Sequence, residues 1–209
     1  MKLRRLASYG RIFFGSLTLF ALSVQFAHGV HQGWSTANFF SFFTVQSNIV
    51  AAIILIIVGF GTLLSVKSTR QFAFLRGAAT LYMTMTGVIT FLLLTDVTSE
   101  SLQTTLPWVD TVVHTIMPIV VLADWLLFPP RFKFSFRTTA YWLLFPLFYL
   151  AYSLVRGAVT GWYPYPFIDP NASGWPLLIT TCIGIALSVA VFAWLLALRT
   201  KGAKHGAHQ

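Results

Sequence analysis

Two short stretches put reactive side chains inside an otherwise apolar chain. In residues 108–130, WVDTVVHTIMPIVVLADWLLFPP, His114 stands four residues after Asp110 and four before Pro118. On a helix that spacing places Asp110 and His114 on one face, where a carboxylate can orient an imidazole. Proline has no N–H to return to the carbonyl of His114, so the helix is expected to loosen there. In residues 39–65, Ser41, Thr44, Ser47 and Asn48 recur at helical spacing and form one polar stripe, while Gln46 points elsewhere. A hydroxyl and an imidazole are the parts of a nucleophile–base pair. Each also has a plainer reading. Serine and threonine in membrane helices bond back to the carbonyl four residues earlier or join helices, and a histidine can simply be satisfied inside a bundle.

Composition fixes the class of protein in which these residues sit. The 209 residues are 56% hydrophobic and 16% aromatic, and only 9% are charged, against about 25% charged in soluble domains. The expectation is an all-α, polytopic integral membrane protein with one domain over residues 1–209. The formal charge of +9 does not point to nucleic acid, because the basic residues fall in short blocks between apolar runs. Cys182 is the only cysteine, which excludes an intrachain disulfide and a cysteine-based metal site. No cofactor is expected; haem or metal ligation would need paired ligands at depth, and only His28 and His114 are candidates.

Six spans are predicted, at about residues 12–29, 39–65, 72–95, 108–130, 138–155 and 176–198. The basic start followed by an apolar run mimics a signal peptide, but the run is long for one and reads as a retained helix. Pro146 predicts a kink in the fifth span. Asp124, near the end of the fourth, is expected to pair with Arg131 or a neighbouring loop cation. An acidic loop with Asp96 and Glu100 joins the third and fourth spans, and a basic tail with His205 and His208 ends the chain. With six spans, every basic block falls on one side and Arg156 alone on the other. By the positive-inside rule both termini are cytoplasmic and the protein sits in the plasma (inner) membrane.

This topology makes a statement about depth. Thr44 and His114 each lie about six residues inside the outer end of their helices, or roughly 9 Å down at 1.5 Å per residue. The connection 156–175, rich in proline and aromatics, reads as a lid over the same end and contributes Tyr165 and Asp169. Arg156 could hold a lipid carboxylate or simply snorkel to the interface.

FFTVQSN, HTIMP followed by ADWLLFPP, and LVRGAVTGWYPYPFIDP together resemble the predicted six-helix prokaryotic integral membrane protein family over nearly the whole chain. More distantly the chain is similar to the androgen-induced integral membrane hydrolases, membrane threonine hydrolases of fatty-acid esters of hydroxy fatty acids. That resemblance implies Thr44 as nucleophile and His114 as base, and a fatty-acid ester among the membrane lipids as substrate. It extends to Thr160, Gly161, Trp162, Tyr165, Pro166 and Phe167. Thr111 stands where the eukaryotic proteins have a further histidine, and the proline after His114 comes one residue early. The chemistry expected is attack of Thr44 on an ester carbonyl with His114 taking its proton, Asp110 orienting the ring and Asn48 donating to the oxyanion. The alternative is a non-enzymatic transporter or lipid-binding accessory protein, since intramembrane polar residues also mark transport paths.

Overall fold

The computed structural model describes residues 2–94, 97 and 103–200. The loop acids Asp96 and Glu100, the basic residues Lys201 and Lys204, and the tail histidines His205 and His208 lie outside the described residues. All regular structure among the described residues is helical: α1 (Lys2–His31), α2 (Thr36–Ser41), α3 (Phe43–Leu63), α4 (Arg70–Leu93), α5 (Pro107–Thr111), α6 (Met117–Leu127), α7 (Phe136–Thr139), α8 (Leu144–Thr160) and α9 (Pro170–Leu198). A π turn, Val112–Ile116, fuses α5 to α6, and a 3-10 turn, Ala140–Leu143, fuses α7 to α8. The result is six helices long and apolar enough to cross a membrane.

Several boundaries differ from the sequence reading, each for a local reason. The first helix starts at Lys2 rather than near residue 12, because the basic start KLRRLASYGR holds no proline and continues the helical ladder beyond the apolar run. The second span is two helices. Phe42, at φ −74° and ψ 132°, is extended and separates α2 from α3. In the fifth span Pro146 lies within the first turn of α8, just after the 3-10 turn, where its missing N–H disturbs little. The expected lid over 156–175 is mostly helix. α8 runs on to Thr160 and ends on Gly161 at φ 72°, and α9 begins at Pro170 behind an Asp169 cap. What remains between them is a short connection with one 3-10 turn, Pro166–Ile168, and α9 itself is broken at Gly174, at φ 72° and ψ 153°.

Close helix packing organises the core. α1 runs antiparallel along α3, and a Cβ at Gly15 would fall 2.7 Å from the carbonyl oxygen of Ala52. One at Gly59 would fall 2.9 Å from that of Ser8. Small residues let two backbones meet this closely where lipid supplies no hydrophobic drive. Trp125 and Trp142 are fully buried and meet edge to face, 6.2 Å between centroids.

Asp124 does not pair with Arg131. It takes the Arg11 Nε on one oxygen and the Arg76 Nη2 on the other, both at 2.7 Å. The reason is directional. Asp124 points inward toward α1 and α4, whereas Pro129 and Pro130 stop the helix and carry Arg131 out to the surface. Arg76 also donates to the carbonyls of Asp124 and Phe128, which ties α4 to the frayed end of α6. Asp124→Asn leaves two inward-facing guanidiniums without a counter-charge. It is expected to cost about 3–5 kcal/mol, read as a large fall in the midpoint of thermal unfolding in detergent.

Candidate active site

The two helix interruptions carry the two reactive residues. At Phe42 the break strips partners from the first N–H groups of α3, and tyrosine hydroxyls supply them. Tyr149 accepts the N–H of Phe43 at 3.2 Å and donates to the carbonyl of Ser41 at 3.0 Å, so one phenol bridges the gap. Tyr165 accepts the N–H of Thr44 at 3.3 Å. Thr44 thereby stands in the first turn of a 21-residue helix, at the positive end of its dipole. The Tyr165 hydroxyl also lies beside the Thr44 side chain and the Tyr149 hydroxyl. Burial pushes this phenol up from its ordinary range, which keeps it protonated and a donor.

The second interruption holds His114. In the π turn a carbonyl accepts from the N–H five residues on, as that of Val112 does from Met117. For Val113 the fifth residue is Pro118, which has no N–H. The freed Val113 carbonyl accepts from the Asn48 amide of α3 at 3.1 Å, and the same NH2 group donates to the carbonyl of Thr44 at 2.9 Å. Asn48 therefore brackets the two interruptions together. Both its hydrogens are spent, so it does not serve the oxyanion role expected from the sequence. Gly87 of α4 supports the same turn from the other side, where a Cβ would lie 2.9 Å from the Pro118 ring.

These supports bring Thr44 and His114 together. Thr44 Oγ1 lies 3.3 Å from His114 Nε2, and His114 Nδ1 lies 2.8 Å from Asp110 Oδ1. A carboxylate only accepts, so Nδ1 carries the proton and Nε2 is left to accept from the threonine hydroxyl. Thr44 and His114 are 6% and 7% exposed, while the Asp110 side chain is 41% exposed toward the end of the helix. Thr104 donates to the same Asp110 oxygen at 2.9 Å. Gln25, fully buried on α1, accepts the N–H of Leu106 and donates to Thr105, fixing the turn from which Thr104 reaches.

The other sequence candidates take supporting places. Ser47 donates to the Thr44 carbonyl at 3.1 Å or bonds the Thr86 hydroxyl at 3.0 Å, joining α3 to α4. Gln46 donates to the carbonyl of Phe40 across the α2–α3 break. Ser41, expected on the stripe with Thr44, is turned by that break toward Tyr152, at 2.8 Å. Arg156 donates to Asn38 at 2.6 Å and lies over the Trp162 ring. Asp169 accepts the N–H of Asn171 as the cap of α9. Tyr149 and Thr104 belong to no motif in the sequence, and Gln25 stands there only as a polar residue at the end of the first span. Their only signal is a polar group within, or just beyond, an apolar span.

Thr44 forms part of the wall between two cavities. The larger, about 870 Å³ including its open mouth, is lined by Phe43, Ile89, Leu150, Phe167, Ile185 and other apolar side chains of α4, α8 and α9. The smaller lies on the opposite side, between Thr44, His114, Gln25, Thr104 and Tyr165, and has room for about one water. Comparison of the chain with protein-family models, curated proteins and solved structures returns no match.

The bracket makes a prediction about stability. Asn48→Leu keeps the volume and removes the one side-chain donor to the Val113 carbonyl among the described residues, so it is expected to cost about 1–3 kcal/mol, measured as a lowered unfolding temperature.

Proposed function

We propose that this protein is an integral membrane ester hydrolase acting on fatty-acyl esters, with Thr44 as nucleophile and His114 as general base. The observation that carries this reading is the Asp110–His114–Thr44 relay, with its 2.8 and 3.3 Å links, at the wall of an apolar cavity. An acyl chain fits such a cavity by chemistry. α8 and α9, which form its outer wall, are the least buried of the six spans, so a lipid can enter sideways between them. The proposed orientation puts both termini in the cytoplasm and the site near the outer face, because Arg4, Arg11, Lys67, Arg76 and Arg131 gather at the opposite end. Descent from the six-helix prokaryotic family, and its distant similarity to the androgen-induced hydrolases, belongs to the same proposal.

The steps follow from the hydrogen-bond directions. His114 Nε2 takes the Thr44 proton as Oγ1 attacks the ester carbonyl carbon, and Asp110 holds the imidazolium that forms. The carbonyl electrons move onto oxygen, where the Tyr165 O–H and the positive end of α3 stabilise them. Collapse breaks the ester C–O bond, and the imidazolium proton goes to the leaving alcohol. The product is an acyl-threonine. Water then gives a proton to His114 and its oxygen to the acyl carbon. The fatty acid leaves and the proton returns to Thr44. The small cavity beside His114 is the place from which that water attacks, opposite the acyl chain.

A fluorophosphonate ester probe, which reacts with activated hydroxyls, is expected to label the purified protein. Thr44→Ala abolishes labelling and His114→Ala reduces it at least 100-fold, in line with the usual contribution of a general base. Asp110→Asn leaves partial labelling. A folded wild-type protein that stays unlabelled, or a Thr44→Ala variant that labels normally, contradicts the mechanism. The cavity assignment has its own test. Leu22→Phe fills the small chamber from α1, so it is expected to preserve the first-turnover burst with a chromogenic acyl ester while slowing steady-state turnover at least tenfold. Leu22→Ala leaves both intact. Equal loss of burst and turnover in Leu22→Phe sinks the water assignment.

A further inference from the structure

At the end of the bundle away from Thr44, the starts of α1 and α4 and the ends of α3 and α6 enclose an open cleft of about 2,730 Å³ including its mouth. Its titratable lining is all basic: Arg4, Arg11, Lys67, Arg76 and Arg131. Among the described residues the one carboxylate at this end is Asp124, and both its oxygens are already engaged by Arg11 and Arg76. Two guanidiniums therefore share one negative charge, and a positive charge is left over beside the cleft. These side chains are 6% and 12% exposed, so they are fixed rather than waving in solvent.

The donors are also unequally used. Arg76 spends its two Nη atoms on Asp124 and on the carbonyl of Phe128. Arg11 gives Nε to Asp124 and Nη1 to Thr62 at 3.5 Å, and its Nη2 makes no hydrogen bond among the described residues. It stacks over the Phe128 ring, 4.9 Å from the centroid, which sets the plane of the fork. A fixed guanidinium with an unspent edge, ringed by Arg4, Lys67 and Arg131, matches the oxygens of a phosphate. Topology alone calls for basic residues at this end, but it does not call for two arginines held almost out of solvent on one carboxylate. Ile57, Val58, Leu127 and Phe132 line the same cleft and suit the glycerol and first methylenes behind a headgroup.

We infer that this cleft is a binding site for a phosphate ester anion, separate from the Thr44 site and independent of the hydrolase reading. The ligand chemistry is shared by an anionic phospholipid headgroup and a soluble phosphate ester, and the experiment distinguishes them. Full-length protein in neutral detergent is titrated with phosphatidylglycerol, phosphatidylcholine or glycerol 3-phosphate and followed by native mass spectrometry and thermal unfolding. Phosphatidylglycerol is expected to form a one-to-one adduct, to raise the unfolding temperature, and to bind at least tenfold more tightly than phosphatidylcholine. The double variant Lys67→Gln/Arg131→Gln leaves the Arg11–Asp124–Arg76 cluster whole, so it folds, and it is expected to lose at least tenfold in affinity. Arg11→Lys keeps the charge and removes the fork, and is expected to lose a similar factor. Saturation by glycerol 3-phosphate with displacement of phosphatidylglycerol assigns the site to a soluble ester. Equal binding of the two lipids together with no effect of the double variant overturns the inference and leaves these cations a topological role only.

Discussion

A backbone N–H or carbonyl stranded in the hydrocarbon of a bilayer costs several kcal/mol, so a spanning helix interrupts its ladder only where another group completes it. This chain interrupts its ladder at Phe42 and again at Val112–Ile116, and each interruption is completed by particular side chains. Tyr149 and Tyr165 satisfy the start of α3. Asn48 satisfies the Val113 carbonyl that Pro118 leaves without a donor. Thr44 lies just after the first interruption and His114 inside the second. The bracket between them is the Asn48 amide, which also holds the Thr44 carbonyl. The short Thr44–His114 distance is thus a consequence of backbone satisfaction in two places, not of a contact that could be adjusted freely.

How much of this the sequence could reveal depends on where each cause lies. The loosening at His114 is legible because Pro118 is four residues away and acts locally. The break at Phe42 is not, because FFSFFTVQSN contains neither proline nor glycine and its missing partners come from Tyr149 and Tyr165, more than 100 residues on. Matching depth for Thr44 and His114 follows from counting residues along two helices, but adjacency requires knowing that α3 packs against the π turn. The Asp110–His114 contact is legible as a four-residue spacing. Thr104 and Gln25 are not, since they act through a turn that joins α1 to the start of α5. Asp124 shows the same limit: its nearest basic residues in sequence are in the following loop, yet the bundle gives it Arg11 and Arg76.

The two ends of the bundle use ionisable groups differently. Around Thr44 the interior is hydroxyls, one imidazole and the amides of Asn48 and Gln25, with Asp110 at the edge, and their hydrogen bonds fix orientation without burying an uncompensated ion. At the other end two arginines and one carboxylate are held together at the boundary with water, where residual positive charge is tolerated. An apolar cavity against one end and a basic cleft at the other give a single small bundle two chemically distinct concave surfaces.

The role proposed for Thr44 requires a covalent acyl intermediate, which can be trapped. Wild-type protein is mixed with a long-chain acyl ester, quenched in acid within the first turnovers, digested and mapped by mass spectrometry. The expected result is an acyl group on the hydroxyl of Thr44, accumulating before fatty acid is released and absent when the ester is omitted. An acyl group on another side chain, or ester hydrolysis with no acyl-threonine at any time, contradicts it.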